Sequence, residues 1–127
     1  RAYLTARLID PSRLHPSDMR RTMPRFDMLN YAANLRLLDR VVPLAAEVGC
    51  TPGQLALAWL LQKSPCIVPI PGTTNPAHLQ ENLGAVSVPL GPDQVARLER
   101  IFRPDEVCGP RYPIKTMPEI DTEDFDS

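Results

Sequence analysis

The sequence has no apolar run near the roughly 20 residues that a membrane-spanning helix needs, so no membrane partner is expected. Its net charge is only −1, and bulk electrostatics single out neither nucleic acid nor an anionic lipid surface. Cysteine is scarce and odd in number: Cys50, Cys66 and Cys108. Separations of 16 and 42 residues match no zinc-binding spacing, and three reduced thiols suit a cytoplasmic protein. No metal site is expected. The stretch from Arg1 to Met19 is Arg-rich and lacks the apolar segment of a secretion signal.

What is present fits a soluble globular domain: 127 residues, 43% hydrophobic and 23% charged. Such a length can bury a real core. Proline is plentiful, with 15 copies spread along the chain, and it punctuates many short elements. Charge is uneven. Residues 1–25 carry six Arg against Asp10 and Asp18, a net of +4, whereas residues 104–127 carry a net of −5. Two such ends attract each other or sit apart as solvated surface.

The hydrophobic pattern predicts a strand end at Arg1–Ala6, then a long loop over 7–30 interrupted by Pro11, Pro16 and Pro24. A helical period begins at Asn30, with Leu35, Leu38, Val42 and Ala45 on one stripe. Pro43 lies inside it, which predicts a kink or break near Val42, and Gly49 ends it. Thr51-Pro52-Gly53-Gln54 is a helix start with a capping box. Leu55–Leu61 is apolar at every position, which predicts a helix buried on most sides. Cys66–Ile70 reads as a short buried strand, against the objection of Pro69. A further helix follows Asn75-Pro76, with Leu79, Asn82 and Leu83 on one face. The last starts at Gly91-Pro92, with Val95, Leu98, Ile101 and Phe102 as its stripe. Residues 104–127 read as an acidic surface tail. Strands alternating with helices point to a parallel α/β sheet, but two strands cannot make one, and the pattern looks cut.

One segment has chemistry in it. Residues 67–82 read IVPIPGTTNPAHLQEN: a strand, a turn of hydroxyl and amide residues, then a helix N-terminus. Free backbone N–H groups and the helix dipole favour phosphate there. Gly72 permits close backbone approach, Thr73, Thr74 and Asn75 add polar side chains, and Glu81 and Asn82 lie where they can bond a planar base. A capped turn between strand and helix is equally a routine structural device.

The wording of three stretches, TPGQLALAWLLQ, IVPIPGTTNPAHLQENLGA and VPLGPDQVARLERIF, closely resembles the last third of aldo-keto reductases. PRFDMLNYAANL at 24–35, RAYLT at 1–5 and GPRYP at 109–113 are similar to segments of one subgroup. The resemblance covers residues 1–113 and leaves 114–127 as the acidic tail. It implies an α/β fold, the C-terminal part of a (β/α)8 TIM barrel, mostly helical in this portion and holding strands seven and eight. It implies a parent oxidoreductase that moves hydride between NADPH and an aldehyde or ketone. The Tyr, Lys, Asp and His of that chemistry map onto nothing here, so no catalytic residue is assigned, and this portion alone is expected to be inactive.

By the same resemblance, Gly72, Thr73 and Thr74, with Asn75 behind them, hold the adenosine 2′-phosphate. His78 lies along the adenine, or is simply a surface aromatic. Glu81 and Asn82 bond the adenine amino group. Arg1, Tyr3 and Leu4 back the pyrophosphate. No Lys or Arg occurs between Ser64 and Ala96, which leaves NADH as the alternative cofactor. Arg20, Arg21 or Arg25 of the loop are candidates to supply a cation. Trp59 reads as core, and Arg111-Tyr112 as tail packing or a wall of the substrate mouth. Two other readings stay open: a non-catalytic cofactor-binding module of the same fold, and a small helical interaction domain. The reductase reading expects an exposed apolar edge at 66–70 and a tendency to self-associate.

Overall fold

The computed structural model describes residues 2–119. Four α-helices carry the fold: α1 (Met28–Val48), α2 (Pro52–Lys63), α3 (Pro76–Gly84) and α4 (Pro92–Ile101). Short 3-10 turns fill the connections, among them Tyr3–Thr5, Pro24–Phe26, Ala85–Ser87 and Ile114–Glu119. Among the described residues there is no β-strand, and both expected strands are corrected by this. The first, expected at 1–6, is over the described residues a 3-10 turn at Tyr3–Thr5 flanked by Ala2 and Ala6 in the left-handed region (φ 62° and 56°). The second, at 66–70, joins α2 to α3 outside any regular element. A strand exists only by pairing, and neither segment has a neighbour to pair with here. The helical content expected of this portion is present, while the barrel itself belongs to the resemblance and not to these helices.

Of the kink or break expected near Val42, the break is corrected, because α1 runs as one helix through Pro43. The buried side of α1 is Leu37, Leu38, Val41, Leu44 and Ala45, while Asp39, Val42 and Pro43 face out. The backbone group orphaned by proline therefore lies on the wet side, where water can satisfy it. Gly49, at φ 79°, ends α1 in the left-handed conformation that favours glycine. At α2 the capping box forms as expected: the Thr51 hydroxyl accepts from the Gln54 backbone N–H, and the Gln54 side chain accepts from the Thr51 N–H. α1 and α2 then diverge by 82°. No single helix among the described residues is long and apolar enough to cross a membrane.

The main core gathers Leu37, Leu38, Val41, Leu44 and Ala45 of α1, Leu55 and Ala58 of α2, Leu90, and Leu98 and Ile101 of α4. α2 is less covered than expected: only Leu55 and Ala58 are buried, since no layer lies over its other sides. Trp59 packs against the core with its ring only partly covered, Lys63 lies over that ring, and its indole N–H is buried without an acceptor. A second, smaller cluster explains how the loop without period is held. Leu14, Met23, Phe26 and Tyr31 are buried together, with Tyr31 stacked on Phe26 at 5.5 Å and met edge-on by Tyr3 at 5.6 Å. The Tyr31 hydroxyl donates to the Leu8 carbonyl, tying the loop to α1.

Candidate functional site

Three stretches remote in sequence meet at one wall. Arg7 leaves the N-terminal turn, Thr51–Gln54 opens α2, and His78 and Glu81 stand one turn apart on α3. The Arg7 guanidinium donates to Glu81 Oε2 at 2.8 Å and contacts His78 Nε2 at 2.5 Å. The Thr51 hydroxyl donates to Glu81 Oε1 at 2.8 Å, and the Gln54 side-chain N–H donates to the Glu81 carbonyl at 2.9 Å. Both carboxylate oxygens of Glu81 are thus engaged. A Cβ added at Gly53 would meet Thr5, Thr51 and Glu81 Oε1 at ordinary contact distances. The same two residues that cap α2 therefore anchor α3, so local helix chemistry fixes where the Glu81 carboxylate sits.

This wall belongs to a cleft of about 1070 Å³. Of the ten residues selected from the sequence, Tyr3, Leu4, Gly72, Thr73, His78, Glu81 and Asn82 line it. Two do not. The Asn75 side chain is spent on capping α3 by accepting from the Ala77 N–H at 2.9 Å, and Thr74 is exposed beside it. Arg1 lies outside the described residues. The space beside Gly72 is open, with nothing within 4 Å of where a Cβ would stand. The Thr73 hydroxyl accepts from the Asn75 N–H at 3.1 Å, which closes the turn that leads into α3.

Cations enter the cleft from outside the 64–96 segment. Of the three loop arginines weighed, Arg20 and Arg25 line the cleft. Arg21 instead donates to the Leu14 carbonyl at 2.9 Å. Arg20 is bound to Asp18, and its hydrogen bonds hold that carboxyl down at about 2. Arg25 donates to the Gly109 carbonyl at 3.0 Å, so the basic N-terminal region and the acidic C-terminal region do meet, through a backbone group. Arg111 lines the cleft as well and lies 5.2 Å from the Tyr112 ring centroid. Arg7 carries no mark in the sequence. Nothing local singles it out, because its partners are 71 and 74 residues away.

The tail is docked by Asn34, the buried polar residue of α1. Its side chain donates to the Cys108 carbonyl at 2.9 Å and accepts from the Cys108 N–H at 2.8 Å. Its own carbonyl accepts from the Tyr3 hydroxyl. Burial pushes that hydroxyl well above the ordinary phenol range, with Tyr31 and Asp39 adding to it, so Tyr3 stays protonated and serves as a donor. All three cysteines are free thiols, and burial raises Cys50. Among the described residues, no group of three or more His, Cys, Asp or Glu side chains is arranged to hold a metal ion.

One cleft thus brings together the α3 wall, the Gly72–Thr73 turn and the side chains of Arg7, Arg20, Arg25 and Arg111. The chain belongs to the aldo/keto reductase family, whose sequence model matches residues 3–103. It is 39% identical over 113 residues to the aldo-keto reductase yakc of Schizosaccharomyces pombe, whose name carries NADP(+). It is 34% identical over 111 residues to the aldo-keto reductase str7 of Strobilurus tenacellus. These matches cover 89% and 87% of this chain but 33% of each relative. The chain thus spans about a third of the length of the curated relatives it matches.

Proposed function

We propose that this chain forms the adenosine-phosphate side of an NADP(H) site, in an oxidoreductase that transfers hydride between NADPH and the carbonyl carbon of an aldehyde or ketone. The observation that carries this reading is the junction of Arg7 with His78 and Glu81. It sets a guanidinium beside the α3 wall, in the stretch where the local sequence has no cation. A 2′-phosphate needs charge-assisted donors, and a fork-shaped guanidinium provides them better than hydroxyls alone. Thr73 and the open backbone at Gly72 complete the phosphate side. His78 supplies a flat face for the adenine, and Asn82 and Glu81 its hydrogen-bond partners. Tyr3 and Leu4 form the wall toward the pyrophosphate. Asn75 acts by holding the helix start in place, and Thr74 extends the turn.

When bound, the nicotinamide supplies the hydride. The residues of this chain bind and orient the far end of that cofactor and contribute no acid or base to the reaction. Alone, the chain is expected to bind nucleotide and turn over nothing.

Calorimetric titration with NADPH and NADH tests the reading. NADPH is expected to bind more tightly than NADH, and Arg7→Ala is expected to lower NADPH affinity about tenfold, on the order of 1.4 kcal/mol, and NADH affinity less, since the same guanidinium also holds His78 and Glu81 at the adenine that both cofactors share. Glu81→Ala is expected to weaken both. A folded, soluble sample that binds neither nucleotide, or binds both equally and ignores Arg7→Ala, rejects it.

A further inference from the structure

Glu81 is held at three points, and they are not equal. Gln54 fixes its root by donating to the Glu81 carbonyl at 2.9 Å. Thr51 and Arg7 fix its end, one at each carboxylate oxygen. The Thr51 bond is partly buried, whereas the Arg7 pair is exposed, with 55% of the arginine side chain open to solvent. An exposed ion pair contributes little and is screened by salt. A hydroxyl-to-carboxylate bond sheltered between the start of α2 and the wall of α3 is charge-assisted and screened less. Under the cofactor reading, Arg7 is also the group drawn to the 2′-phosphate. Thr51 is then the holder that stays on the carboxylate.

The Thr51 hydroxyl suits that task, because a hydroxyl has one proton to give and two lone pairs to receive. Its oxygen accepts from the Gln54 backbone N–H at 3.2 Å, which caps α2, and its proton goes to Glu81 Oε1 at 2.8 Å. Cap and clamp use different parts of one group, so substitution can separate them. An ionised carboxylate only accepts, and a fixed one selects a donor opposite it. Adenine offers a 6-amino donor, whereas hypoxanthine carries a 6-oxo acceptor at the same position. A carboxylate free to turn must first be ordered, and it can also turn away from the wrong base.

We propose that Thr51 is a positioning residue for base recognition: it holds the Glu81 carboxylate so that the site takes a 6-aminopurine and rejects a 6-oxopurine. The inference rests on the cofactor reading and adds to it a residue outside the 67–82 segment.

Calorimetric titration of the full chain with NADPH and with its hypoxanthine analogue tests it, in the parent and in variants of Thr51. The readout is the ratio of the two affinities. Partial unfolding leaves that ratio unchanged, because both compounds meet the same folded fraction. The parent is expected to favour NADPH about tenfold. Thr51→Ser keeps both cap and donor and is expected to keep the ratio. Thr51→Asp keeps a capping oxygen but has no proton to give, and it sets a like charge before Glu81. Its ratio is expected to fall below about threefold. Thr51→Val loses both roles, and its ratio is expected to fall likewise. If Thr51 only caps the helix, Thr51→Asp keeps the parent ratio, and that result overturns the proposal. A parent that binds both compounds equally also overturns it, while leaving the phosphate side of the cofactor reading in place. A folded parent that binds neither compound rejects the cofactor reading and this inference together.

Discussion

Asn34 does more than its type suggests. A buried amide is costly unless its donors and acceptor are matched, and here one side chain pairs with both backbone groups of Cys108 across 74 residues of sequence. Asn34→Ala removes both bonds and is expected to cost about 1–2 kcal/mol in urea unfolding, with faster amide exchange at 107–111. Asp18 gives the clearest pH signature. Hydrogen bonds from the Arg20 side chain and backbone hold its carboxyl at about 2, below the ordinary value of 3.8. A depressed carboxyl stabilises the fold at pH above its unfolded value and loses that contribution as pH falls toward 2. Stability measured from pH 5 to pH 2 is therefore expected to fall less steeply in Asp18→Asn than in the parent chain. The pair is partly exposed, so the difference is small and shrinks in high salt.

Among the elements, α2 shows most plainly how local chemistry builds the site. Thr51 caps the helix with the same hydroxyl that donates to Glu81. Thr51→Ala is expected to destabilise the chain by about 1–2 kcal/mol in thermal or urea unfolding, and Thr51→Ser to restore most of it. The same substitution releases one Glu81 oxygen, so it is also expected to loosen the α2–α3 junction, read as faster exchange in residues 76–84. α1 departs from the break its sequence predicts because the penalty of a proline depends on the helix face it occupies. The cost is lowest where the orphaned carbonyl meets water, and Pro43 with Asp39 faces outward. Pro43→Ala is expected to raise stability by about 1–3 kcal/mol, since it restores the missing bond and leaves the packed side of α1 as it is.

At the scale of the whole molecule, two hydrophobic clusters and a cleft between them account for the arrangement. The larger cluster packs three helices, and the smaller aromatic one pins the N-terminal loop so that Arg20 and Arg25 reach the same cleft as α3. With Arg7 and Arg111, four guanidinium groups line a cavity against the two carboxylates of Asp18 and Glu81, in a chain whose net charge is −1. On the proposed function, that local excess of positive charge, and not the net charge, acts on the anionic cofactor. NADPH affinity is accordingly expected to drop severalfold between low and physiological salt, more than NADH affinity does, in titrations at the two ionic strengths.

Helix starts and stops were legible because they depend on neighbours a few residues apart: Thr51 with Gln54, Asn75 with Pro76, Gly49 after Val48. The family was legible because long stretches of side-chain order are specific. Seven of the ten residues that the resemblance points to line one cleft; each of their two short motifs is local, but the meeting of residues 3–4 with 72–82 is the work of tertiary packing. The absence of strands at 2–6 and 66–70 was not legible, because a strand is a property of a pair and neither segment pairs with another among the described residues. Arg7 was not legible either, since its meeting with Glu81 spans 74 positions and only the packing of α2 against α3 brings it about. The sequence by itself therefore determined the local elements, the caps and the family. Only the tertiary structure decided which cations face the cleft and which apolar residues are left uncovered, because both depend on contacts between segments far apart along the chain.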